Sequence, residues 1–325
     1  MSGTRPTLYL SRLLPDPVMV IVRERFQLVH EPHDASPAPS ALREGLCQAD
    51  AAIVTLGDFI DAETIRVAAR LKVLANYAVG FNNIDLAAAR QRGLIVTNTP
   101  DVLTDATADL TWALLLSTAR RVVEGDALVR SGRWTGWSPR QLLGADVSGK
   151  TLGIIGMGRI GQAVAHRAVG FRMPVRYHTR LFMATSSLPR EWEYRSLQDL
   201  LGEADVITIH VPLTPSTHHL IGTRELAWMR PTAILINTAR GPIVDEGALA
   251  DALKTGIIAG AGLDVYEQEP ALHPTLAQLN QVVLLPHLGS ATLHARVQMG
   301  LVCLENIRAV LDGRPAPNQL SLAGS

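Results

Sequence analysis

Short, unbroken apolar runs punctuate the middle of the chain, at Thr151–Ile155, Pro174–Tyr177, Val206–His210, Ala233–Ile236, Ile258–Leu263 and Val282–Leu285. Each is rich in Val, Ile or Leu and lacks the strict alternation of a strand with one wet face. The pattern therefore predicts strands buried on both sides. Between them, Arg159–Gly170 and Glu246–Lys254 carry apolar residues three and four apart, the spacing that gives a helix one buried stripe. Parallel strands need crossovers, and crossover helices cover both faces of a sheet. The alternation thus predicts an α/β fold with a doubly wound parallel sheet. Its six strands match a complete dinucleotide-binding sheet.

The N-terminal region repeats the theme on a smaller scale. Thr7–Leu10, Ala51–Thr55, Lys72–Tyr77 and Leu94–Thr97 read as strands, and Ala62–Arg70 and Asp85–Arg92 as helices. Pro32–Ser40 turns to Pro, Ser and Ala and reads as a surface loop. Two long helical patterns flank the middle block, Leu103–Arg130 before it and Ala291–Leu311 after it, and either can bridge two domains. From Gly313 the composition is that of a loose terminus.

The 325 residues, 47% of them hydrophobic, suffice for two cores. Lys plus Arg balances Asp plus Glu at 30 each, so no global charge points to nucleic acid or an anionic membrane surface. A small anionic substrate needs only one well-placed Arg. No apolar run reaches the roughly 18 residues of a membrane span, and Met1–Leu10 lacks the pattern of a secretory signal. Cys47 and Cys303 form no framework and no CxxC pair, so they read as reduced thiols of a cytoplasmic protein.

Gly156-Met157-Gly158-Arg159-Ile160-Gly161 fits G-x-G-x-x-G between a predicted strand and a predicted helix. In that setting Gly156 permits a tight turn, Gly158 admits a pyrophosphate to the backbone, and Gly161 allows close helix packing. The phosphates would rest on free N–H groups at the helix start, favoured by its dipole. The bland alternative is a tight turn without a ligand. Cofactor choice is read about 20 residues on, at the end of the next strand. There the chain has His178-Thr179-Arg180 and no carboxylate. Arg180 can pair with a 2′-phosphate, and His178 and Thr179 can donate to it. NADP(H) is therefore expected over NAD(H), which remains possible if Arg180 is only a solvated cation.

Three further segments follow predicted strands, where open α/β sheets bind ligands. They are Asn237-Thr238-Ala239-Arg240-Gly241, Asp264 to Pro270, and Pro286-His287-Leu288-Gly289-Ser290. Arg240, Glu269 and His287 can thus converge on one crevice. Reduction of a keto acid suits such a trio. Charge develops on the carbonyl oxygen, a protonated His can neutralise it, and a carboxylate beside the imidazole favours and orients the charged form. An Arg can hold the substrate carboxylate with a charge-assisted fork. Taken singly, each residue could equally be a surface ion-pair partner, a loop carboxylate or a satisfied core histidine.

With these motifs, and with Asn76-Tyr77-Ala78-Val79-Gly80, Thr99 to Thr104 and Gly262-Leu263-Asp264-Val265, the chain resembles the D-isomer-specific 2-hydroxyacid dehydrogenase family over nearly its whole length. The resemblance implies Arg240, Glu269 and His287 as catalytic residues. It implies that Ala78, Val79 and Gly80, with Arg240 and His287, hold the substrate. For the cofactor it implies Thr104, Val211, Pro212, Thr217, Thr238, Ala239, Asp264 and Gly289 beside the glycine turn, with Asp264 at the carboxamide and Thr104 near the ring. It implies two Rossmann-like or flavodoxin-like domains, with a dinucleotide-binding domain (100–289) inserted into a discontinuous substrate domain (1–99 and 290–325), and closure of the cleft between them to exclude water. D stereochemistry comes from the resemblance alone.

Within the family the chain is most similar to glyoxylate/hydroxypyruvate reductases, through Trp134-Thr135-Gly136-Trp137, Leu143 to Asp146 and Tyr177 to Arg180. That branch implies a homodimer in which a Trp reaches the partner's site; the alternative is that Trp134 and Trp137 are ordinary packing aromatics. Asn82 departs from the Asp of many relatives beside the carboxylate loop and bears on substrate preference. The rivals are other members of the family, of the 2-ketogluconate, phosphoglycerate or phosphite type, and nucleotide-sensing proteins like the corepressors built on this fold. No metal is expected. His218 and His219 are adjacent, so their side chains should not face one site, and no His or Cys cluster has ligand spacing. Asp105 and Asp109 read as a helix start and a polar face. No G-x-S-x-G setting suggests a hydrolase serine.

Overall fold

The computed structural model describes residues 5–180 and 188–320. They divide into two compact units, one of residues up to Leu103 together with those from Ser290 onward, the other Thr104–Gly289.

In the first unit, strands and helices alternate as β1 (Thr7–Leu10), α1 (Asp16–Arg25), β2 (Gln27–Leu28), α2 (Pro39–Gln48), β3 (Ala51–Val54), α3 (Ala62–Val67), β4 (Val73–Asn76), α4 (Leu86–Arg92) and β5 (Ile95–Thr97). The sheet is parallel in the order β2-β1-β3-β4-β5, the flavodoxin-like arrangement. Successive side chains of a strand point to opposite faces. Accordingly Leu8, Leu10, Ile53, Val73 and Ala75 pack with α1 and the C-terminal helix Leu293–Leu311, while Tyr9, Ala52, Val54 and Leu74 pack with α2 and α3. Both faces are dry, which is why these strands read as continuous apolar runs. Asp61 and Asp85 cap α3 and α4 by accepting the Thr64 and Ala88 amides. Gly93, at φ 72, ends α4 in the left-handed conformation.

The second unit begins with α5 (Thr104–Ala119) and α6 (Val122–Arg130). Then come β6 (Leu152–Ile155), α7 (Arg159–Ala168), β7 (Val175–His178), β8 (Glu193–Tyr194), α8 (Leu197–Glu203), β9 (Val206–Ile209), α9 (Thr223–Trp228), β10 (Ile234–Asn237), α10 (Glu246–Thr255), β11 (Gly260–Leu263) and β12 (Val282–Leu284). The parallel sheet runs β12-β11-β10-β9-β6-β7-β8, so strand order reverses between β6 and β9. That switch point is where an open α/β sheet leaves a crevice at its carboxyl edge. Ile155, Ile207, Ile209 and Leu235 face one core, and Leu152, Ile154, Val206 and Ile236 the other.

Several expectations need correction. The pattern over Leu103–Arg130 is two helices, because Arg121 takes φ 53 and breaks the ladder between Ala119 and Val122. The second sheet has seven strands, the extra one being the two-residue edge strand β8, too short and polar to show periodicity. The Pro32–Ser40 loop ends early, since Pro39 occupies the first turn of α2, where a missing N–H costs nothing. The pattern over Arg159–Gly170 ends as a helix at Ala168 and continues as a 3-10 turn, Val169–Phe171. Asp105 does stand in the first turn of α5 and Asp109 on its exposed face, as the sequence reads, and both pair with Arg167 of α7. His218 and His219 do meet: His219 takes φ 48, which folds the two rings into a stack with centroids 4.1 Å apart. Among the described residues no helix is long and apolar enough to cross a membrane.

Candidate active site

The glycine turn sits at the switch point. Gly156 follows β6 at φ 99, and a Cβ there would lie 2.6 Å from the backbone of His210, which follows β9. Gly161 lies against the same turn, with a Cβ falling 2.1 Å from the Gly156 carbonyl oxygen. Gly158 differs, since a Cβ there would meet nothing within 4 Å. It is the N-cap of α7, and no side chain caps that helix and no acidic residue stands in its first turn. Two glycines are thus required by the protein's own packing, and the third leaves open space before the first turn of a helix, whose amides have no intrahelical acceptor. Those features fit a pyrophosphate at Gly156–Gly161, with the amides of the Arg159 and Ile160 turn as donors.

At the end of β7, the His178 ring is partly buried and its Nδ1 lies 3.1 Å from the Arg195 carbonyl. A carbonyl only accepts, so Nδ1 carries the proton and Nε2 is left to face a ligand. Thr179 is partly buried and Arg180 exposed; the seven residues after Arg180 lie outside the described chain. On the other side of the crevice, the Thr217 hydroxyl donates to the Pro212 carbonyl at 2.7 Å and accepts the Thr214 amide at 2.8 Å, closing the turn that presents Val211 and Pro212. His210 was not anticipated. Among the described residues its buried Nε2 has no partner, and burial pushes the imidazole down to about 3, so it stands neutral in the crevice wall.

Arg240, Glu269 and His287, 47 residues apart in sequence at the extremes, come together at the ends of β10, β11 and β12. His287 Nδ1 lies 2.8 Å from Glu269 Oε2. The carboxylate can only accept, so Nδ1 is protonated and Nε2 is the free face. Burial works to raise the Glu269 carboxyl, but the hydrogen bond and charge of His287, the Tyr266 amide and Arg240 outweigh it and hold it below the usual carboxylate range. Burial lowers the Arg240 guanidinium, opposed by the Glu269 charge. Arg240 Nη1 also donates to the Ala239 carbonyl at 2.6 Å.

His287 takes φ 55, a left-handed conformation that a side chain disfavours. Asp264 holds it there. Its backbone carbonyl accepts the His287 amide at 2.9 Å, and its carboxylate accepts the Leu288 and Gly289 amides at 2.6 and 2.8 Å. Asp264 is fully buried, and that burial raises its pKa against the two amides and the imidazole. Asn237, the last residue of β10, plays a similar part, accepting the Ala239 amide and donating to the Arg240 carbonyl. Thr104 opens α5, and a hydroxyl relay runs along that helix. Thr107 donates to the Gly289 carbonyl, Thr111 donates to the Thr107 carbonyl at 2.8 Å, and Thr111 lies 2.9 Å from Thr238. Because the Thr111 proton is used, Thr238 donates to it and keeps only acceptor lone pairs for a ligand. Neither this relay nor the Asp264 turn has a sequence signature beyond isolated buried polar residues.

In the first unit, the carbonyls of Ala78, Val79 and Gly80 are all engaged, by the Thr99 amide and the side-chain amides of Asn98 and Asn76. Among the described residues, no acceptor takes the Val79 or Gly80 N–H. Both can serve an anion. Among the described residues no group of three His, Cys, Asp or Glu could hold a metal.

A parallel sheet with a phosphate-ready glycine turn at its switch point, and with a His–carboxylate pair and an Arg after other strands of the same sheet, defines a nicotinamide-dependent dehydrogenase. Residues 112–289 match the family model described as D-isomer specific 2-hydroxyacid dehydrogenase, NAD binding domain. The glyoxylate reductase of Thermococcus gammatolerans is 46% identical over 317 residues, which cover 96% of this chain and 95% of that protein. A protein of Thermus thermophilus superposes with a TM-score of 0.90 at 48% identity, covering 97% of this chain and 100% of its own. An NADPH-dependent glyoxylate/hydroxypyruvate reductase of Sinorhizobium meliloti, solved with NADP and malonate, has a TM-score of 0.87 at 32% identity over 98% of this chain and 97% of its own. The chain belongs to the D-isomer specific 2-hydroxyacid dehydrogenase family.

Proposed function

We propose that the protein reduces glyoxylate or hydroxypyruvate with NADPH, giving a D-2-hydroxy acid. The observation that carries this reading is the His287–Glu269 pair, with its free Nε2 and with Arg240 in electrostatic reach. Bound nicotinamide supplies the reducing equivalent. The residues do the rest. Arg240 grips the substrate carboxylate and polarises the carbonyl. Protonated His287 donates from Nε2 to the carbonyl oxygen as charge develops there. Glu269 stabilises the imidazolium and fixes its plane. Val79 and Gly80 offer backbone N–H groups to a substrate carboxylate. The similarity to proteins named glyoxylate reductase supports the substrate class.

NADPH preference rests on the end of β7, where His178, Thr179 and Arg180 replace a ribose-binding carboxylate. A panel of keto acids with both cofactors tests the whole reading. Glyoxylate and hydroxypyruvate should be turned over fastest, and NADPH should be preferred. Arg180→Asp should move the preference toward NADH by about tenfold or more, roughly one charge-assisted hydrogen bond. Unchanged preference contradicts the cofactor argument. Bound nucleotide with no turnover across the panel would point to a sensor instead.

A cytoplasmic homodimer completes the reading. Helix α6 buries none of its residues, and Val122, Val123 and Val129 are each more than half exposed. Trp134, Trp137 and Leu143 are 51%, 83% and 67% exposed on the following segment. Apolar surface of this kind marks an interaction site. Sedimentation should give about twice the 35.1 kDa chain mass, and Trp134→Glu with Trp137→Glu should give the monomer. A wild-type monomer at micromolar concentration sinks this part.

A further inference from the structure

Beyond the ends of β10 and β11, the loops carrying Arg240 and Glu269 are joined by contacts that the catalytic reading does not use. The Glu246 amide donates to Glu267 Oε1 at 2.7 Å, and the Glu267 amide donates to Glu246 Oε1 at 2.7 Å. Each glutamate therefore caps the other's backbone. The second oxygens are also occupied. Glu246 Oε2 accepts the His273 amide at 3.2 Å, and Glu267 Oε2 lies within ion-pair distance of His219 Nε2, at 3.3 Å, without a hydrogen bond between them. Glu246 is 8% exposed and Glu267 partly buried, so water competes little for the two amides. The pair also places a carboxylate at the start of α10, where the helix dipole favours it.

The backbone beside this pair has no slack. A Cβ on Gly241 would fall 1.8 Å from the Tyr266 carbonyl carbon and 2.4 Å from the Glu267 nitrogen. The residue after Arg240 therefore rests directly on the peptide that precedes Glu267. Two residues on stands Glu269, whose Oε1 accepts the Tyr266 amide at 3.2 Å. The Tyr266 phenol donates to the Leu285 carbonyl at 2.8 Å, two residues before His287. One rigid backbone junction thus touches the carriers of all three groups of the site.

We propose that Glu246 and Glu267 are positioning residues, a reciprocal carboxylate–amide clasp that sets the Glu269 loop in register with Arg240 and so fixes Glu269 on His287. This rests on the catalytic reading given above. The clasp works by reach and not by charge, since an amide oxygen at the same place accepts as well. Near-attack geometry is steep in distance, and a displacement of about 1 Å can cost on the order of 10²-fold in rate.

The experiment compares Glu267→Asp, which keeps the charge and retracts the oxygens, with Glu267→Gln, which keeps the reach and removes the charge. Each is made in the wild-type and in the Glu269→Gln background. In the wild-type background, E267D should lower kcat for glyoxylate by about tenfold or more, and E267Q should stay within about threefold. NADPH affinity, read by fluorescence, should not change. In the Glu269→Gln background, E267D should cost less than about twofold further, because the group it positions is already gone. Amide hydrogen exchange at Glu246 should rise in E267D and not in E267Q. An equal cost of E267D in both backgrounds, a normal kcat in E267D, or a larger loss in E267Q than in E267D overturns the proposal. Absence of turnover in the wild type, with normal protection of the Glu246 amide, would instead overturn the catalytic reading on which it rests.

Discussion

His287→Ala lowers kcat for keto-acid reduction by on the order of 10²–10⁴-fold, the usual contribution of a positioned proton donor, and leaves NADPH binding within about twofold. The two halves of this expectation have different physical origins. Nε2 is the free nitrogen of a ring whose Nδ1 is held by Glu269 at 2.8 Å, so removing the ring removes the donor. The phosphate turn at Gly156–Gly161 belongs to a different strand end, and Asp264 still collects the amides of residues 287–289 through backbone that the substitution leaves in place. Normal turnover in the variant would reject the role. The pH dependence gives a second check with a defined sign. Glu269 is held below the usual carboxylate range despite its desolvation, chiefly by the hydrogen bond and charge of His287. In His287→Ala that hold is gone, so the Glu269 carboxyl should take up its proton at higher pH than in the wild type. NMR titration of that carboxyl reads the change, and a midpoint that does not rise contradicts the pairing.

How much of this could be read in the amino-acid order depends on which force writes the signal. Strands buried on both faces announce themselves, because each position must be apolar; Leu8, Tyr9 and Leu10 or Ile154 and Ile155 could hardly be anything else. Edge and surface elements do not. Strand β8 is two exposed residues, and α8 and α9 are short helices of seven and six residues without a full amphipathic repeat. The break at Arg121 is invisible for another reason. An arginine in the left-handed region carries no compositional mark, and the apolar spacing runs through it from Leu114 to Val129.

The site divides in the same way. Residues at strand ends that perform chemistry belong to types that chemistry requires, so Arg240, Glu269 and His287 stand out in a loop. Residues that hold those groups in place are ordinary. Asp264 reads from its motif as a cofactor contact, whereas its carboxylate already binds two amides of the His287 turn. Thr107 and Thr111 look like neutral helix residues, and only the direction of their hydrogen bonds shows that the buried Thr238 hydroxyl keeps acceptor lone pairs alone. Glu246 and Glu267 look like solvated helix-start and loop carboxylates. In each case the information is a distance between backbone atoms far apart in sequence, which no local pattern records.

The three glycines of the phosphate turn permit the sharpest separation of packing from binding. Gly161→Ala must place a methyl 2.1 Å from the Gly156 carbonyl oxygen, backbone against backbone, and overpacking of that kind costs about 1–3 kcal/mol. Its melting temperature without nucleotide should therefore fall by roughly 2–12 °C, at about 2–4 °C per kcal/mol for a unit of this size. Gly158→Ala adds the same methyl where nothing lies within 4 Å, at φ −77 and ψ −165, a conformation that alanine adopts freely. As an N-cap it should cost no more than about 1 kcal/mol, or roughly 2–4 °C. What the methyl does occupy is the space before the α7 amides. Losing one charge-assisted hydrogen bond there, at about 1.5–3 kcal/mol, should weaken NADPH by roughly 10–100-fold. Calorimetry without nucleotide and fluorescence titration with NADPH separate the two. If Gly158→Ala binds NADPH as the wild type does, the open space above α7 is not where the pyrophosphate sits.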